Sequence, residues 1–204
     1  MLIAVPTGVK VFNWTATMWR GSMTFETPML FSIGFIFLFV IGGFSGVICA
    51  IVPIDIQVQE TYYVIAHFHY VLVSGALFAI FGAVYYWLPK WSGRMYDENL
   101  GKWHFWLSMF FFNLTFFVQH FLGLAGMPRR VPDYALQFAD FNMISSIGGF
   151  GFGLTQLFFL YIVIKCIRSG EKAADKPWEG GTTLEWTLPS PAPYHSFETP
   201  PVIK

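Results

Sequence analysis

Residues 27–54 decide the fold: they read TPMLFSIGFIFLFVIGGFSGVICAIVPI and contain no charged side chain. A helix needs about 20 apolar residues to cross a hydrocarbon layer of about 30 Å, and this stretch is longer. A strand of a membrane barrel would show about ten residues of alternating polarity, whereas this run is apolar on all sides. The stretch therefore predicts a transmembrane α-helix.

Three further stretches have the same character: 61–89, 103–128 and 141–164 carry no charge apart from histidines. A fifth stretch, 2–19, is shorter and has Lys10 in its middle. We therefore expect an all-α integral membrane protein with a bundle of about five transmembrane helices, the first of them partial. The bundle is predicted to occupy residues 1–168. Residues 169–204 are rich in proline and are predicted to form an extended tail.

The composition agrees with a membrane protein and excludes several other classes. Only 12% of the 204 residues are charged and 55% are hydrophobic, while soluble domains carry about 25% charged residues. The formal net charge is zero, which gives no basic excess for binding nucleic acid. The two cysteines are too few for a disulfide framework.

The basic residues predict the orientation of the bundle in the membrane, because cytoplasmic connections are enriched in Lys and Arg. Of the twelve basic residues, nine belong to the first, third and fifth connections of a five-span bundle, namely Arg20, Lys90, Arg94, Lys102, Lys165, Arg168, Lys172, Lys176 and Lys204. The other side has only Arg129 and Arg130. The tail is therefore predicted to be cytoplasmic.

Two histidines one residue apart, His67 and His69, are the most informative polar residues within the predicted spans. On a helix they point about 200° apart with a rise of about 3 Å, so they cannot hold one metal from one face. Each can instead ligate a separate group, and imidazole is a common axial ligand of haem iron. On spacing alone, histidines hydrogen-bonded to neighbouring helices are an equally good interpretation.

Other polar residues form two smaller candidate groups. Arg129 and Arg130 lie on the side that should be poor in basic residues, and guanidinium groups bind carboxylates. On spacing alone, a salt bridge from this pair to Asp133 or Asp140 is the favoured alternative. Lys10 lies three residues after Thr7, which suggests a proton or ion path, or else a lysine that reaches to the membrane surface.

Several motifs, in order along nearly the whole chain, resemble cytochrome c oxidase subunit I of the haem-copper oxidase superfamily. Residues 61–72 (TYYVIAHFHYVL) resemble the tenth-helix signature of that family, and residues 5–10 (VPTGVK) resemble its eighth helix. Residues 119–130 (QHFLGLAGMPRR) resemble the end of its eleventh helix, and residues 183–191 (TLEWTLPSP) resemble the tail of bacterial members.

The resemblance implies a role for each histidine of the pair. His67 would ligate the iron of the high-spin haem, His69 would ligate the iron of the low-spin haem, and Phe68 would lie between the two haems. Arg129 and Arg130 would hold haem propionates. Asp55 would lie in the same propionate region.

The resemblance also implies a proton path and a second metal site. Lys10 and Thr7 match polar residues of a proton pathway that starts at the cytoplasmic side. The family usually has His-Asp at a magnesium or manganese site where this sequence has Gln59-Glu60. Gln and Glu still offer oxygen ligands of the kind that magnesium prefers, but Glu has a longer reach.

As a whole, the resemblance implies part of the catalytic subunit of a respiratory terminal oxidase in a bacterial cell membrane. Such an enzyme couples cytochrome c oxidation and oxygen reduction to water with proton pumping, and it uses two haems A and copper. The partners would be the N-terminal part of subunit I, subunits II and III, and cytochrome c. The family's first seven helices and its copper ligands have no counterpart here, so we expect the chain alone to be inactive. A membrane fragment without bound haem and a quinol oxidase subunit I are the alternatives.

Overall fold

A computed structural model describes residues 1–201, so Lys204, one of the basic residues that predict the orientation, lies outside the described residues. The helices are α1 (Ala4–Met18), α2 (Thr27–Cys49), α3 (Val52–Val58), α4 (Tyr62–Val73), α5 (Ala79–Ser92), α6 (Glu98–Leu124) and α7 (Ala139–Ser169). A π-helical turn, Ser74–Phe78, joins α4 to α5, and 3-10 turns occupy Leu136–Phe138 and Leu184–Thr187. Two short strands, β1 (Arg94–Met95) and β2 (Glu171–Lys172), pair antiparallel.

Among the described residues, four helices are long and apolar enough to cross a membrane: Thr27–Cys49, Tyr62–Ser92, Glu98–Leu124 and Leu136–Ser169. The first helix, α1, has 15 residues. At 1.5 Å per residue α1 extends about 22 Å, which falls short of the roughly 30 Å of hydrocarbon. The all-α membrane bundle with a partial first helix is therefore confirmed.

The helices do not begin and end where the charge-free stretches do. The stretch 27–54 divides into two helices: α2 ends at Cys49, and Pro53 lies in the first turn of α3. A proline has no backbone N–H and clashes with the preceding turn, so it fits the start of a helix and not its interior. Charge-free length could not show this break.

The helix that contains the predicted span 103–128 also begins before the first residue of that span. The helix α6 begins at Glu98 because the Asp97 side chain accepts hydrogen bonds from the N–H groups of Asn99 and Leu100. Such an N-cap satisfies backbone donors that a helix leaves free. The last helix, α7, extends to Ser169, with Arg168 in its last turn. A cation there interacts favourably with the negative end of the helix dipole.

Glycines let the helices approach one another closely. A Cβ at Gly42 of α2 would lie 2.9 Å from the backbone of Tyr70 in α4. A Cβ at Gly148 of α7 would lie 2.6 Å from the backbone N of Thr115 in α6. Aromatic side chains fill the space that remains, and Phe31 contacts five aromatic or histidine rings in the core.

The connections gather at two opposite ends of the bundle. Pairing of β1 with β2 brings the connection after α5 together with the chain that follows α7. An isolated bridge between Thr61 and Pro128 joins the connection before α4 to the connection after α6. The second and fourth connections therefore share the end that the basic residues predict to be external.

The proline-rich tail packs on the other end of the bundle. Trp178 and Trp186 are buried, and their indole N–H groups donate to the backbone carbonyl and the hydroxyl of Tyr86, respectively. The ammonium group of Lys90 donates to three tail carbonyls, those of Asp175, Leu188 and Pro189. The tail is therefore held against α5 up to about residue 190.

Candidate functional site

The candidate site is centred on α4, which carries both His67 and His69. Thr61 begins this helix by accepting a hydrogen bond from the Tyr63 N–H. The helix packs between α2 on one side and α6 on the other. Each histidine is half-buried, so each ring combines contacts inside the bundle with a face that the described residues leave open.

The ring of His67 is held by the backbone of α2. Its Nδ1 lies 3.0 Å from the Gly42 carbonyl and 3.1 Å from the Ser45 hydroxyl. The carbonyl can only accept, and the Ser45 hydroxyl itself donates to Gly42 at 2.9 Å, so Nδ1 carries the proton. The other ring nitrogen, Nε2, therefore has its lone pair free. This is the tautomer that binds a metal through Nε2.

The ring of His69 is oriented by its own helix. Its Nδ1 lies 2.8 Å from the Ile65 carbonyl, which again places the proton on Nδ1 and the lone pair on Nε2. The ring stacks between Phe116, at a centroid distance of 4.1 Å, and Phe68, at 4.3 Å. These contacts hold the imidazole plane without using Nε2.

The donor set fits two axial haem ligands. Within residues 1–201 neither Nε2 of the histidine pair has a hydrogen-bond partner, and neither is a fully buried unpaired atom. An imidazole that donates through Nδ1 and offers Nε2 is the arrangement that haem iron accepts. Because the two histidines lie on opposite sides of α4, their free Nε2 atoms face separate spaces. Phe68, which is 38% exposed, lies between them in the sequence.

The arginine pair lies at the end of α6 and is tied to the residues before α4. The Arg129 guanidinium donates to both carboxylate oxygens of Glu60, with 2.8 Å between Nε and Oε2. The backbone N–H of Arg129 donates to the Glu60 carbonyl at 2.8 Å, and the N–H of Tyr62 donates to the Met127 carbonyl at 3.0 Å. We refer to these contacts between residues 60–62 and 127–129 as the clamp.

The charges in the clamp stabilise one another. The Arg129 guanidinium, by its hydrogen bonds and its charge, lowers the pKa of the Glu60 carboxyl. The same hydrogen bonds to Glu60 raise the pKa of Arg129. Both Glu60 and Arg130 have positive φ angles, of 58° and 61°, which non-glycine residues seldom adopt. A positive φ angle therefore occurs in one segment of the clamp, at Glu60, and directly after the other segment, at Arg130.

The remaining candidate residues are not brought into the clamp. The salt bridge of Arg129 is to Glu60, and neither Asp133 nor Asp140 forms an ion pair within residues 1–201. Arg130 and Gln59 are exposed, Asp55 is half-buried, and their side chains make no hydrogen bond to any described residue. No group of three or more His, Cys, Asp or Glu residues in the described part of the chain could hold a metal ion. Glu60 therefore belongs to no such group among the described residues.

The residues of the candidate proton path lie on α1, whereas the two histidines lie on α4. Lys10 is exposed, and the Thr7 hydroxyl donates to the Ile3 carbonyl at 2.9 Å. The half-buried residues of α1 recur every three or four positions towards α2, with Trp14 at 5.2 Å from Phe35. Lys10 is not one of these half-buried residues, and no described residue accepts a hydrogen bond from its side chain.

Sequence reasoning missed the α2 residues that orient His67. Their spacing does not identify Gly42, Ser45 and Gly46 as neighbours of a histidine, yet a Cβ at Gly46 would lie 2.6 Å from the His67 ring. The close spacing of these small residues was a usable signal, but it could not show which ring they face. The buried His120 also lies near this helix, with its ring 5.2 Å from that of Tyr63.

Comparison with known proteins assigns the family. Residues 1–151 match the family model described as "Cytochrome C and Quinol oxidase polypeptide I". The chain belongs to this family. It is 51% identical to the "Probable cytochrome c oxidase subunit 1-beta" of Nocardia farcinica, and the match covers 100% of this chain and 35% of that protein. It is 50% identical to the "Cytochrome c oxidase subunit 1" of Cereibacter sphaeroides, over 98% of this chain and 36% of that protein.

The chain thus spans a little over a third of the length of these relatives. A solved structure titled as a heme-copper terminal oxidase dimer covers 83% of this chain and 35% of its own, with a TM-score of 0.72 and 18% identity. That likeness supports the fold. Haem and copper belong to the full subunit of the family, and the protein is a multi-pass membrane protein.

Proposed function

We propose that this chain forms part of the catalytic subunit of a respiratory terminal oxidase. The complete enzyme would couple the oxidation of cytochrome c and the reduction of oxygen to water with proton pumping. One observation supports this most directly: His67 and His69 project from opposite sides of one helix, and each has Nδ1 bound to a carbonyl and Nε2 free. This arrangement suits one axial bond to each of two haem irons.

The two histidines have different roles in this proposal. Nε2 of His67 ligates the high-spin haem, and Nε2 of His69 ligates the low-spin haem. When bound, haem A and copper supply the electron transfer and the oxygen chemistry. The chain orients the ligands: the Gly42 carbonyl holds the His67 ring, and Phe116 and Phe68 hold the His69 ring. The copper ligands belong to the rest of the subunit.

The polar groups at the two ends of the bundle complete the proposal. Arg129 and Arg130, with Asp55 five residues before Glu60 in the sequence, form the propionate region at the external end. Lys10 and Thr7 conduct protons from the cytoplasmic side, where the tail also lies. The chain would reside in a bacterial cell membrane with subunits II and III. The matched family includes both cytochrome c and quinol oxidases, and relatives at 50–51% identity named as cytochrome c oxidases favour cytochrome c as the donor.

Optical spectra of the purified complex test the proposal. We expect His67→Ala to remove the high-spin haem signal and His69→Ala to remove the low-spin signal, with oxygen uptake falling by at least about 100-fold in each. The matched control is His195→Ala, because His195 is an exposed histidine of the tail. Retention of both haem signals in both variants would refute the ligand assignment. The isolated chain is expected to consume no oxygen.

A further inference from the structure

We infer that Gln59 and Glu60 do not form a divalent-cation site in this protein, and that Glu60 instead serves as the fixed anionic partner of Arg129. The inference deepens the proposed function, on which it rests for the identity of the site. The two arginines then have different roles. Arg129 is a positioning residue within the clamp, and Arg130 is the arginine available to bind a carboxylate.

The first argument is the use of the Glu60 carboxylate. Each of its oxygens accepts a hydrogen bond from a different nitrogen of the Arg129 guanidinium. Magnesium requires oxygen ligands at about 2.0–2.1 Å in near-octahedral geometry. A guanidinium in a two-point contact occupies that face of the carboxylate and adds a positive charge that repels a second cation.

The second argument is that the backbone fixes this contact. Besides the side-chain fork, the Glu60 carbonyl accepts from the Arg129 N–H, and the Met127 carbonyl accepts from the Tyr62 N–H. The bridge between Thr61 and Pro128 lies between these two bonds. A Glu60 side chain that swung away towards a metal would leave Arg129 unpaired while the backbone of the clamp still held it in place.

The third argument is the lack of other ligands nearby. Over residues 1–201 no cluster of three or more His, Cys, Asp or Glu side chains could surround an ion. The Gln59 side chain is exposed, and the half-buried Asp55 forms no side-chain hydrogen bond within the described residues. Gln59 would thus offer a single neutral oxygen, and hard divalent cations are held by several oxygen ligands.

The position of Arg130 gives the inference its consequence. It is exposed and has no carboxylate partner within the described residues. Its backbone, at a φ of 61°, turns directly after the clamp. With Arg129 neutralised by Glu60, the free positive charge at this end of the site is that of Arg130, which suits an anionic carboxylate such as a haem propionate.

Manganese binding tests the metal half of the inference. The complex is produced in manganese-rich medium, washed with a chelator, and examined by electron paramagnetic resonance. We expect no bound manganese in the wild type, in Glu60→Gln or in the control Glu179→Gln. Stoichiometric manganese in the wild type, lost in Glu60→Gln and kept in the control Glu179→Gln, would overturn the inference.

A thermal double-mutant cycle tests the clamp half in the same preparations. Glu60→Gln and Arg129→Gln should each lower the melting temperature, and the double variant should fall no further than either, because one contact is lost in all three. Additive losses would overturn the pairing. Haem spectra recorded on the same samples keep the two proposals apart: a wild type without haem refutes the proposed function, while the manganese count and the melting cycle still decide the role of Glu60.

Discussion

At the scale of single residues, the orientation of His67 depends on the lack of a side chain at one position of α2. Gly46 has no side chain, so the imidazole can lie against the helix backbone and donate from Nδ1 to the Gly42 carbonyl. A metal ligand whose second nitrogen is held in this way keeps one tautomer and one plane. The small residues of α2 therefore control the orientation of a proposed ligand that belongs to another helix.

Substitution of Gly46 should disturb this ligand. In Gly46→Ala the new Cβ would lie 2.6 Å from Cε1 of His67, so the ring must move from the Gly42 carbonyl. We expect a shifted or weakened high-spin haem spectrum with the low-spin spectrum unchanged. The matched control is Gly43→Ala, because a Cβ at Gly43 meets nothing within 4 Å. Equal spectra for the two variants would contradict the role of Gly46.

The clamp should respond to acid through Glu60. Hydrogen bonding and charge from Arg129, with a smaller contribution from Arg130, lower the pKa of Glu60, and burial opposes them. A lowered pKa in the folded state means that this contribution to stability is present above the unfolded value, about 4.3. It is lost as the pH falls through the folded value.

Thermal melting between neutral and acid pH tests whether this contribution to stability is lost as the pH falls. The melting temperature of the wild type should exceed that of Glu60→Gln at pH 7, and the two should converge below about pH 4. Arg129 remains charged throughout, because its own pKa is raised. A difference between wild type and Glu60→Gln that persists undiminished in acid would contradict the ion pair as its origin.

At the scale of helices, hydropathy predicts which segments cross the membrane but not where each helix ends. The spans 27–54 and 103–128 both contain the correct apolar core. Their ends depend instead on Pro53 in the first turn of α3 and on the Asp97 side chain that caps α6. Those are local interactions of polar and cyclic residues, which a count of uncharged positions does not register.

The contact between α6 and α7 depends on a glycine of α7. A Cβ at Gly148 would lie 2.6 Å from the backbone N of Thr115, so Gly148→Ala should force the helices apart. We expect a loss of about 1–3 kcal/mol, typical of overpacking, measured as a lower melting temperature in detergent. The control Gly153→Ala meets nothing within 4 Å and should be neutral or slightly stabilising. Equal melting temperatures for the two variants would contradict the close contact.

At the scale of the whole molecule, the site could be predicted only in part. The H-x-H spacing and the family resemblance indicated His67 and His69 without a structure. The partner of Arg129 could not be predicted in this way, because Glu60 lies 69 residues earlier in the chain. Spacing favoured Asp133 or Asp140 because they are near in sequence, whereas the fold brings the start of α4 to the end of α6.

The tail illustrates the same limit at the opposite end of the bundle. Its prolines indicate an extended chain, but they do not show that Lys90 of α5 would bind it. The Lys90 ammonium group is buried, donates to three tail carbonyls and lies 4.9 Å from the centre of the Trp186 ring. A buried ammonium group needs all of these partners, and they exist only when the tail is docked.

Loss of the Lys90 charge should therefore release the tail. In Lys90→Met the apolar stem is kept, but the carbonyls of Asp175, Leu188 and Pro189 lose their donor. We expect chymotrypsin to cut after Trp186, which is only 4% exposed when docked, about ten times faster than in the wild type. The control Lys102→Met removes an exposed lysine of α6 and should leave the rate unchanged. Equal cleavage of Lys90→Met and wild type would contradict the role of Lys90 in holding the tail.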